Sequence, residues 1–380
     1  MATLEKATSR HTRQRNLQAT LQAVVEHGST SRADIARLTG LTRASVSSLV
    51  MELIGQGLLI ETGQGESAGG KPPTLLAFNG GSRQIVALDL GGRRWEGARY
   101  DLNLQRLGRR HTRPAVKGPA GASAVVEMAE RLVGEADAPV LGVGVGSPGL
   151  VSADGTVRQA SNLEWEELAL RERLETTLGL PGVVANDASA AALADMERGE
   201  TNASILVVLG EGVGAGLVMG GELFGGEHSA AGELGHVVVE PNGAICSCGN
   251  RGCLETVASV PAILRALNAP TDLDPGPDLE DLRRRFGPDR VDVVLSSVGM
   301  RLADVLAPIV AMLDLARVRI AVEIQGAAEV VAASAEVVLR SRLLPAVSRV
   351  LRVEATGKVD DLVLAGAAGL VARRRLGVVP

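Results

Sequence analysis

The chain has 380 residues, 46% hydrophobic and 22% charged, which is the composition of a globular protein long enough for two or three domains. No apolar run reaches the roughly 18 residues of a membrane span, and the N-terminus lacks the apolar stretch of a secretory signal. The sequence therefore predicts a cytoplasmic protein and excludes a membrane partner.

The net charge of −5 is unevenly distributed along the chain. Residues 1–60 carry seven Lys or Arg and four Asp or Glu, a local charge of +3, so the remainder is acidic. A basic head on an acidic body favours a nucleic-acid-binding module joined to a second domain. Local fluctuation of composition is the alternative explanation, unless a motif supports the first one.

Three short helices are predicted in this head. The first, "RNLQATLQAVVEHG", ends at Gly28, and the second begins with a capping box in which Ser31 caps the helix and Asp34 bonds back. Gly40 then turns the chain into a third helix, "LTRASVSSLVMELIGQGLL". The inward stripe of this third helix consists of Val46, Leu49, Val50 and Leu53.

Two strand-like segments, "LLIET" and "TLLAF", follow the helices and are joined by the loop "GQGESAGGKPP". Helices and strands in this order predict a winged helix-turn-helix over residues 1–80, with the third helix in the DNA major groove. A three-helix protein-interaction domain is the alternative, which the Ser-rich, nearly acid-free front of the third helix disfavours. The candidate DNA-binding residues are Arg43, Ser45, Ser47, Ser48 and Lys71.

From Gln84 onward, strands alternate with helices in two halves. Each half opens with a strand, a glycine turn and a returning strand, first in "QIVALDLGG" with "GARYDL" and then in "SILVVLGEGVGAGLVMGGELF". This pattern predicts a duplicated α/β plan with a cleft between two lobes, where ligands prefer to bind.

The three cysteines of the chain lie together in the segment "CSCGNRGC". Cys246, Cys248 and Cys253, with His236 upstream, offer three sulfurs and one nitrogen, a donor set suited to tetrahedral zinc. Because protein would fill all four positions, we expect one structural zinc ion per chain. Two alternatives, reduced core cysteines and a disulfide, are disfavoured by the polar, glycine-rich segment and by the odd number of cysteines.

Several segments together resemble the ROK family (repressors, open reading frames and sugar kinases), of the N-acetylglucosamine- and xylose-repressor type. They are "LDLGG", "GVGVGSPGLV", "NLEWEELALRERLETTLGLPGVVANDASAAALADMERG", "AGELGHVVVEP" and "CSCGNRGCLE". The resemblance implies a two-lobed α/β actin-like, sugar-kinase fold behind the winged helix. It implies a first lobe over residues 81–185, onto which the final helix packs back. The second lobe, residues 186–380, would hold the zinc loop and helices for a homodimer or homotetramer.

A sugar site is predicted beside the zinc loop. If one ring nitrogen of His236 binds zinc, the other is free and aimed at a ligand hydroxyl. Glu233 and Glu255 flank the loop and suit the vicinal hydroxyls of a sugar, although each alone would be an ordinary solvated carboxylate. The resemblance adds Asn186 and Asp187 to the site, and Asp187 matches the general base of the family's kinases.

The predicted nucleotide site departs from the family's kinases. Where they have a small hydroxyl residue after the first glycine turn, this chain has Arg93, and their Leu-Gly-Thr-Gly turn is "LGEG", which places Glu211 where phosphates would lie. An acidic side chain there opposes ATP. We therefore expect no ATP cofactor and no catalytic residue. The degenerate nucleotide site would comprise Asp89, Gly91, Gly92, Arg93 and Glu211.

The resulting prediction is a sugar-responsive DNA-binding transcriptional regulator, a repressor of carbohydrate-metabolism genes. Its partners would be a double-stranded DNA operator, a sugar or sugar phosphate between the lobes, and further copies of the chain. Two alternatives stay open at this point. One is an active ATP-dependent sugar kinase with a DNA-binding head, and the other is a regulator with a vestigial sugar pocket that responds to a protein partner.

Overall fold

The computed structural model describes residues 9–66, 72–196, 203–271 and 278–378. The head consists of α1 (Ser9–His27), β1 (Thr30–Ser31), α2 (Arg32–Thr39), α3 (Arg43–Gly55), β2 (Leu59–Gln64) and β3 (Thr74–Phe78). Its strands form an antiparallel sheet in the order β1-β3-β2, of which the short β1 was not predicted. The capping box at the start of α2 is confirmed, because Ser31 and Asp34 exchange both bonds.

The apolar side of α3 is buried as predicted. Val46, Leu49, Val50 and Leu53 are at most 3% exposed. The core that contains most of them continues without a break into the side chains of the next sheet and of the final helix. The head therefore packs directly against the body and shares its core.

The first lobe is built around a five-stranded sheet. Its elements are β4 (Gln84–Asp89), β5 (Arg94–Asp101), β6 (Arg106–Pro114), α4 (Pro119–Gly134), β7 (Val140–Ser147), β8 (Leu150–Val151), β9 (Val157–Ala160), β10 (Trp165–Leu168), α5 (Leu170–Leu178) and β11 (Gly182–Asn186). The main sheet has the order β11-β7-β4-β5-β6, and β8, β9 and β10 form a small second sheet.

The second lobe repeats this plan. Its elements, with the final helix, are α6 (Asp187–Met196), β12 (Ala203–Leu209), β13 (Val213–Met219), β14 (Glu222–Leu223), α7 (Glu255–Ala258), α8 (Val260–Ala266), α9 (Leu279–Phe286), α10 (Pro288–Leu313), β15 (Arg317–Val322), α11 (Ala328–Arg342), α12 (Pro345–Val350), β16 (Arg352–Ala355) and α13 (Val359–Leu376). The sheet order is β14-β13-β12-β15-β16. In both sheets three antiparallel strands are followed by two parallel strands, so the predicted duplication is confirmed.

Two helices join the lobes. Helix α6 packs between β13 of the second sheet and α13, and α13 packs on β7 and β4 of the first sheet. The helices approach so closely that a Cβ atom on Gly366 would lie 1.7 Å from the carbonyl oxygen of Ala190. Only glycine fits at that position, which fixes the spacing of the two helices.

In the described part of the chain, α10 alone has the length and composition of a membrane-spanning helix. Leu295, Leu302 and Leu306 on this helix are fully buried in the core of the second lobe, and the helix packs along α11. Core packing therefore accounts for its apolar composition.

Candidate site at the interlobe cleft

The cysteine-rich loop follows β14 and folds back on itself. The amide nitrogen of Leu254 donates to the carbonyl oxygen of Val237 at 2.8 Å, and the amide of Gly252 donates to Ala244 at 2.7 Å. Gly252 has a φ of +71°, and a Cβ atom there would lie 1.5 Å from the carbonyl oxygen of Glu240. The turn therefore needs glycine at this position, and it places Cys253 opposite the residues that follow His236.

The four predicted metal ligands meet in this loop. Their donor atoms all lie within 4.8 Å of one another, with 3.7 Å between the sulfurs of Cys248 and Cys253 and 3.5 Å between Cys246 Sγ and His236 Nδ1. A tetrahedron with zinc–sulfur bonds of about 2.3 Å has edges of about 3.8 Å. The spacing therefore fits a metal of this size.

One thiol of the loop has a strongly raised pKa. Burial and hydrogen bonds from the neighbouring thiols raise the pKa of Cys253 to about 12. Without a metal this thiol keeps its proton at neutral pH, and a bound metal ion would displace it.

His236 links the metal loop to the cleft. Its Nδ1 faces Cys246, and its Nε2 lies 3.7 Å from Glu233 Oε2. One nitrogen is thus directed at the metal position and the other at a carboxylate. The sequence predicts a ligand hydroxyl as the partner of the second nitrogen, and in the structure Glu233 lies on that side.

Glu255 is held on the opposite side of the loop. Its Oε2 accepts a hydrogen bond of 3.3 Å from the amide of Val213, and its Oε1 accepts one of 3.1 Å from Ser247 Oγ. Cys246 Sγ lies 3.6 Å from the same Oε1. Glu255 therefore connects the metal loop to the turn before β13.

Asp187 and Glu233 form an acidic pair in the cleft. Burial raises the pKa of Asp187 to about 7, and the nearby Glu233 carboxylate adds to the effect. The pKa of Glu233 is raised by desolvation and by Glu255, and it is lowered by His236. The structure thus brings Asp187, Glu233, His236 and Glu255 together, with Asp187 titrating in the range in which a carboxylate can exchange a proton.

Asn186 lies next to this group but its polar atoms are engaged. Its Nδ2 donates to the carbonyl oxygen of Gly149, and its Oδ1 accepts from the amide of Ser189, both at 3.0 Å. Asn186 thereby fixes the start of α6, which carries Asp187. A direct ligand contact, as predicted, would compete with these bonds.

The glycine turn after β4 faces the same cleft. Asp89 is 4% exposed, and its Oδ1 accepts a hydrogen bond of 2.8 Å from the amide of Gly91. A Cβ atom on Gly91 would lie 3.1 Å from Asp89 Oδ1 and 3.3 Å from Asp187 Oδ2, so the turn lies between two carboxylates. Burial and the nearby Asp360 raise the pKa of Asp89.

Arg93 and Glu211 are two of the three predicted departures in the nucleotide site, the third being the single glycine, Gly326, in "EIQG", and they contact each other. Arg93 Nε lies 2.8 Å from Glu211 Oε1, and an Arg93 terminal nitrogen donates to the carbonyl oxygen of Thr271. Gly92, between Arg93 and the buried strand, has a φ of +64°. The side chain that replaces the family's small hydroxyl residue therefore crosses to the second lobe.

Two further acids in the cleft were missed by the sequence reasoning. Desolvation, with the charges of Asp360 and Glu211, raises the pKa of Glu323 to about 8. Its position directly after β15, at the same sheet edge as Glu211, was an available signal. Asp360 begins α13, where an acid is usual for helix stability and gave no functional signal.

The predicted DNA-binding residues of α3 lie on one exposed surface. Arg43, Ser45, Ser47 and Ser48 are all exposed, whereas Lys71 lies outside the described residues. Ser47 Oγ donates to the carbonyl oxygen of Arg43, and Ser45 Oγ lies 2.9 Å from Thr42 Oγ1. These hydroxyls are engaged locally and would have to turn to meet a DNA base or phosphate.

A family model described as ROK family matches residues 85–374. A protein named putative xylose repressor, from Caldicellulosiruptor sp. (strain Rt8B.4), is 36% identical over 255 residues. The match covers 64% of this chain and 63% of that protein, which is less than two thirds of its length.

Two solved structures differ in how much of this chain they resemble. A ROK family transcriptional regulator, described as a homologue of the E. coli MLC protein, matches with a TM-score of 0.82 and 26% identity, over 96% of this chain and 97% of its own. A ROK hexokinase from Thermus thermophilus matches with a TM-score of 0.60 and 27% identity, over 77% of this chain and 99% of its own. The regulator therefore accounts for more of the chain than the hexokinase does.

Proposed function

The chain belongs to the ROK family, and from this premise we propose a sugar-responsive, DNA-binding transcriptional regulator, a cytoplasmic repressor of carbohydrate-metabolism genes. One observation carries the proposal. The cleft has a group of polar side chains beside the four candidate metal ligands at one end, while the Arg93–Glu211 ion pair occupies the other end, where the resemblance to the family's kinases implies phosphates. The similarity of nearly the whole chain to a ROK transcriptional regulator supports the same proposal.

Residues 1–80 would form a winged helix-turn-helix with α3 as the recognition helix. The exposed residues Arg43, Ser45, Ser47 and Ser48 would meet DNA, and Lys71 would contact it from the wing. Two or four chains would bind a palindromic operator with half-sites about 34–36 Å apart, or a multiple of that spacing.

The body would bind a sugar or sugar phosphate between a first lobe, residues 81–185, and a second lobe, residues 186–380. Asp187, Glu233, His236 and Glu255 would bond the ligand hydroxyls, and Asn186 would position Asp187. A zinc ion on Cys246, Cys248, Cys253 and His236 would hold the loop rigid. Its role would be structural, because four protein ligands leave no coordination position open for a reactive water.

The shared core offers a route from the cleft to DNA. Helix α13 starts near Asp89 and Glu323 and ends against α1, where a Cβ atom on Gly377 would overlap the side chain of Gln18. A ligand that prefers one arrangement of the lobes would therefore shift the heads as well. A tenfold change in operator affinity requires about 1.4 kcal/mol of coupling.

A second candidate function is an active sugar kinase that also binds DNA. The position of Asp187 favours it, because a carboxyl with a pKa of about 7 suits a general base. ATP-dependent phosphorylation of an aldose, abolished by Asp187→Asn, would establish this function in place of sensing.

A thermal-shift panel of sugars and sugar phosphates, with and without Mg-ATP, tests the proposal on the zinc-loaded full chain. A ligand at 100 times its dissociation constant stabilises the folded state by about 2.7 kcal/mol. We expect one sugar to raise the melting temperature and Mg-ATP to add nothing. If no sugar shifts the transition, the sugar site is vestigial and the signal comes from a protein partner.

A further inference from the structure

The two glycine turns that open the lobes occupy equivalent places in the two sheets. Arg93 follows the turn between β4 and β5, and Glu211 lies in the turn between β12 and β13. Their ion pair of 2.8 Å therefore joins the corresponding turns of the two halves across the cleft. Each residue departs from the family's kinases on its own, yet here each provides the partner of the other.

The guanidinium of Arg93 has two separate attachments on the second lobe. Besides Glu211 it bonds the carbonyl oxygen of Thr271, which belongs to the segment after α8. The planar guanidinium can hold both partners at once, which an ammonium group in the same place could not do with the same geometry. The contact thus fixes two segments of the second lobe to one turn of the first.

The surrounding charges explain why a cation is needed there. Asp360, Glu211 and Asp187 raise the pKa of Glu323, whereas Arg93 lowers it. Asp89 lies in the same acidic group. Arg93 is therefore the cation that favours the ionised form of Glu323 within this group of acids from both lobes.

We propose that the Arg93–Glu211 ion pair, at the nucleotide end of the cleft, holds the two turns together when no nucleotide is bound. The guanidinium lies between the two turns, and its nitrogens already donate hydrogen bonds to protein oxygens. The lobes can then close on a sugar alone. This goes beyond the loss of kinase activity, because the substituted residues acquire a positioning role of their own.

Hydrogen–deuterium exchange of the zinc-loaded full chain, with no sugar, nucleotide or DNA added, tests whether the Arg93–Glu211 ion pair holds the turns together. In Arg93→Ala we expect the exchange rate to rise two- to fivefold in second-lobe peptides around Glu211 and Thr271. A change of this size corresponds to the contribution of a partly exposed ion pair to stability. In Glu211→Ala the same rise is expected across the cleft, in the peptide that contains Arg93. The double variant should show no larger effect than Arg93→Ala, because Arg93→Ala already removes the contact that Glu211→Ala breaks.

Arg340→Ala is the matched control. Arg340 bonds Glu336 and the carbonyl oxygen of Leu351 at similar exposure, but entirely within the second lobe, so its loss should leave both glycine turns unchanged. Faster exchange confined to the lobe that carries the substitution, or additive effects in the double variant, would overturn the proposal. Since no ligand is present, this result is independent of whether the protein senses a sugar.

Discussion

The two ends of the interlobe cleft differ in how their polar groups are satisfied. At the metal end, Glu233 Oε2 lies 3.7 Å from His236 Nε2, and the carboxylate of Glu255 accepts hydrogen bonds from the Val213 amide and from Ser247 Oγ. At the nucleotide end, Arg93 and Glu211 satisfy each other across the lobes. We propose that the first end binds an external ligand, whereas the second is occupied by the protein's own ion pair.

This difference indicates how a kinase fold can serve as a sensor. Phosphoryl transfer depends on positive groups and metal ions that face the phosphates. Two substitutions at equivalent turns replace that arrangement with an internal ion pair, while the fold and the ligand end stay intact. This arrangement supports the proposal that the chain binds a sugar without transferring phosphate to it.

Loss of the metal should have the largest effect on the metal end. In Cys248→Ser we expect the zinc content to fall from one ion per chain, and the affinity for the sugar found in the thermal-shift panel to fall about 100-fold, because the loop no longer orients its ligands. Elemental analysis and isothermal titration of the same preparation measure both quantities. Asn250→Ala, in the same loop but outside the donor set, should keep zinc and affinity; unchanged sugar binding in zinc-free protein would contradict the role of the loop.

Matched substitutions at the two ends of the cleft test whether only the metal end binds the sugar. Glu233→Gln should weaken sugar binding about 10- to 100-fold, since it weakens a charge-assisted hydrogen bond, whereas Glu211→Gln should weaken it less than about fivefold. Titration of both variants with the same sugar gives the ratio directly. Equal losses for the two variants would mean that the ends do not have separate roles.

The pH dependence of stability tests the burial of Asp187. Folded Asp187 keeps its proton up to about pH 7, whereas its ordinary pKa is 3.8, so the folded state binds more protons over this range. The free energy of unfolding should therefore fall as pH rises from about 4 to about 7. Asp187→Asn removes this contribution, and its melting temperature should gain a few degrees on wild type between pH 5 and pH 8. The melting temperature of Glu227→Gln, a substitution at an exposed position, should depend on pH as that of the wild type does. If the melting temperature of Asp187→Asn also followed the wild-type pH dependence, Asp187 would not be protonated in the folded state.

Local patterns in the sequence predicted much of the fold and the metal loop. The capping box at Ser31 and the ligand spacing of the cysteines depend on neighbours along the chain, and the structure places both as expected. Strand β6 was missed because "RLGRRHTRP" is a polar edge strand with little apolar alternation. The Arg93–Glu211 contact could not be predicted, because it joins residues 118 positions apart and depends on how the lobes face each other.

Sugar-dependent DNA binding can be measured as operator affinity, by fluorescence anisotropy on a DNA site that the protein itself selects from a random library. Arg43→Ala should weaken this binding without changing sugar affinity, which establishes the assay. If the protein is a sugar-responsive repressor, we expect a saturating sugar to change the operator affinity of the wild-type protein at least about tenfold, and Mg-ATP to add no further change. An operator affinity that is the same with and without saturating sugar, or that changes only when Mg-ATP is present, would contradict it.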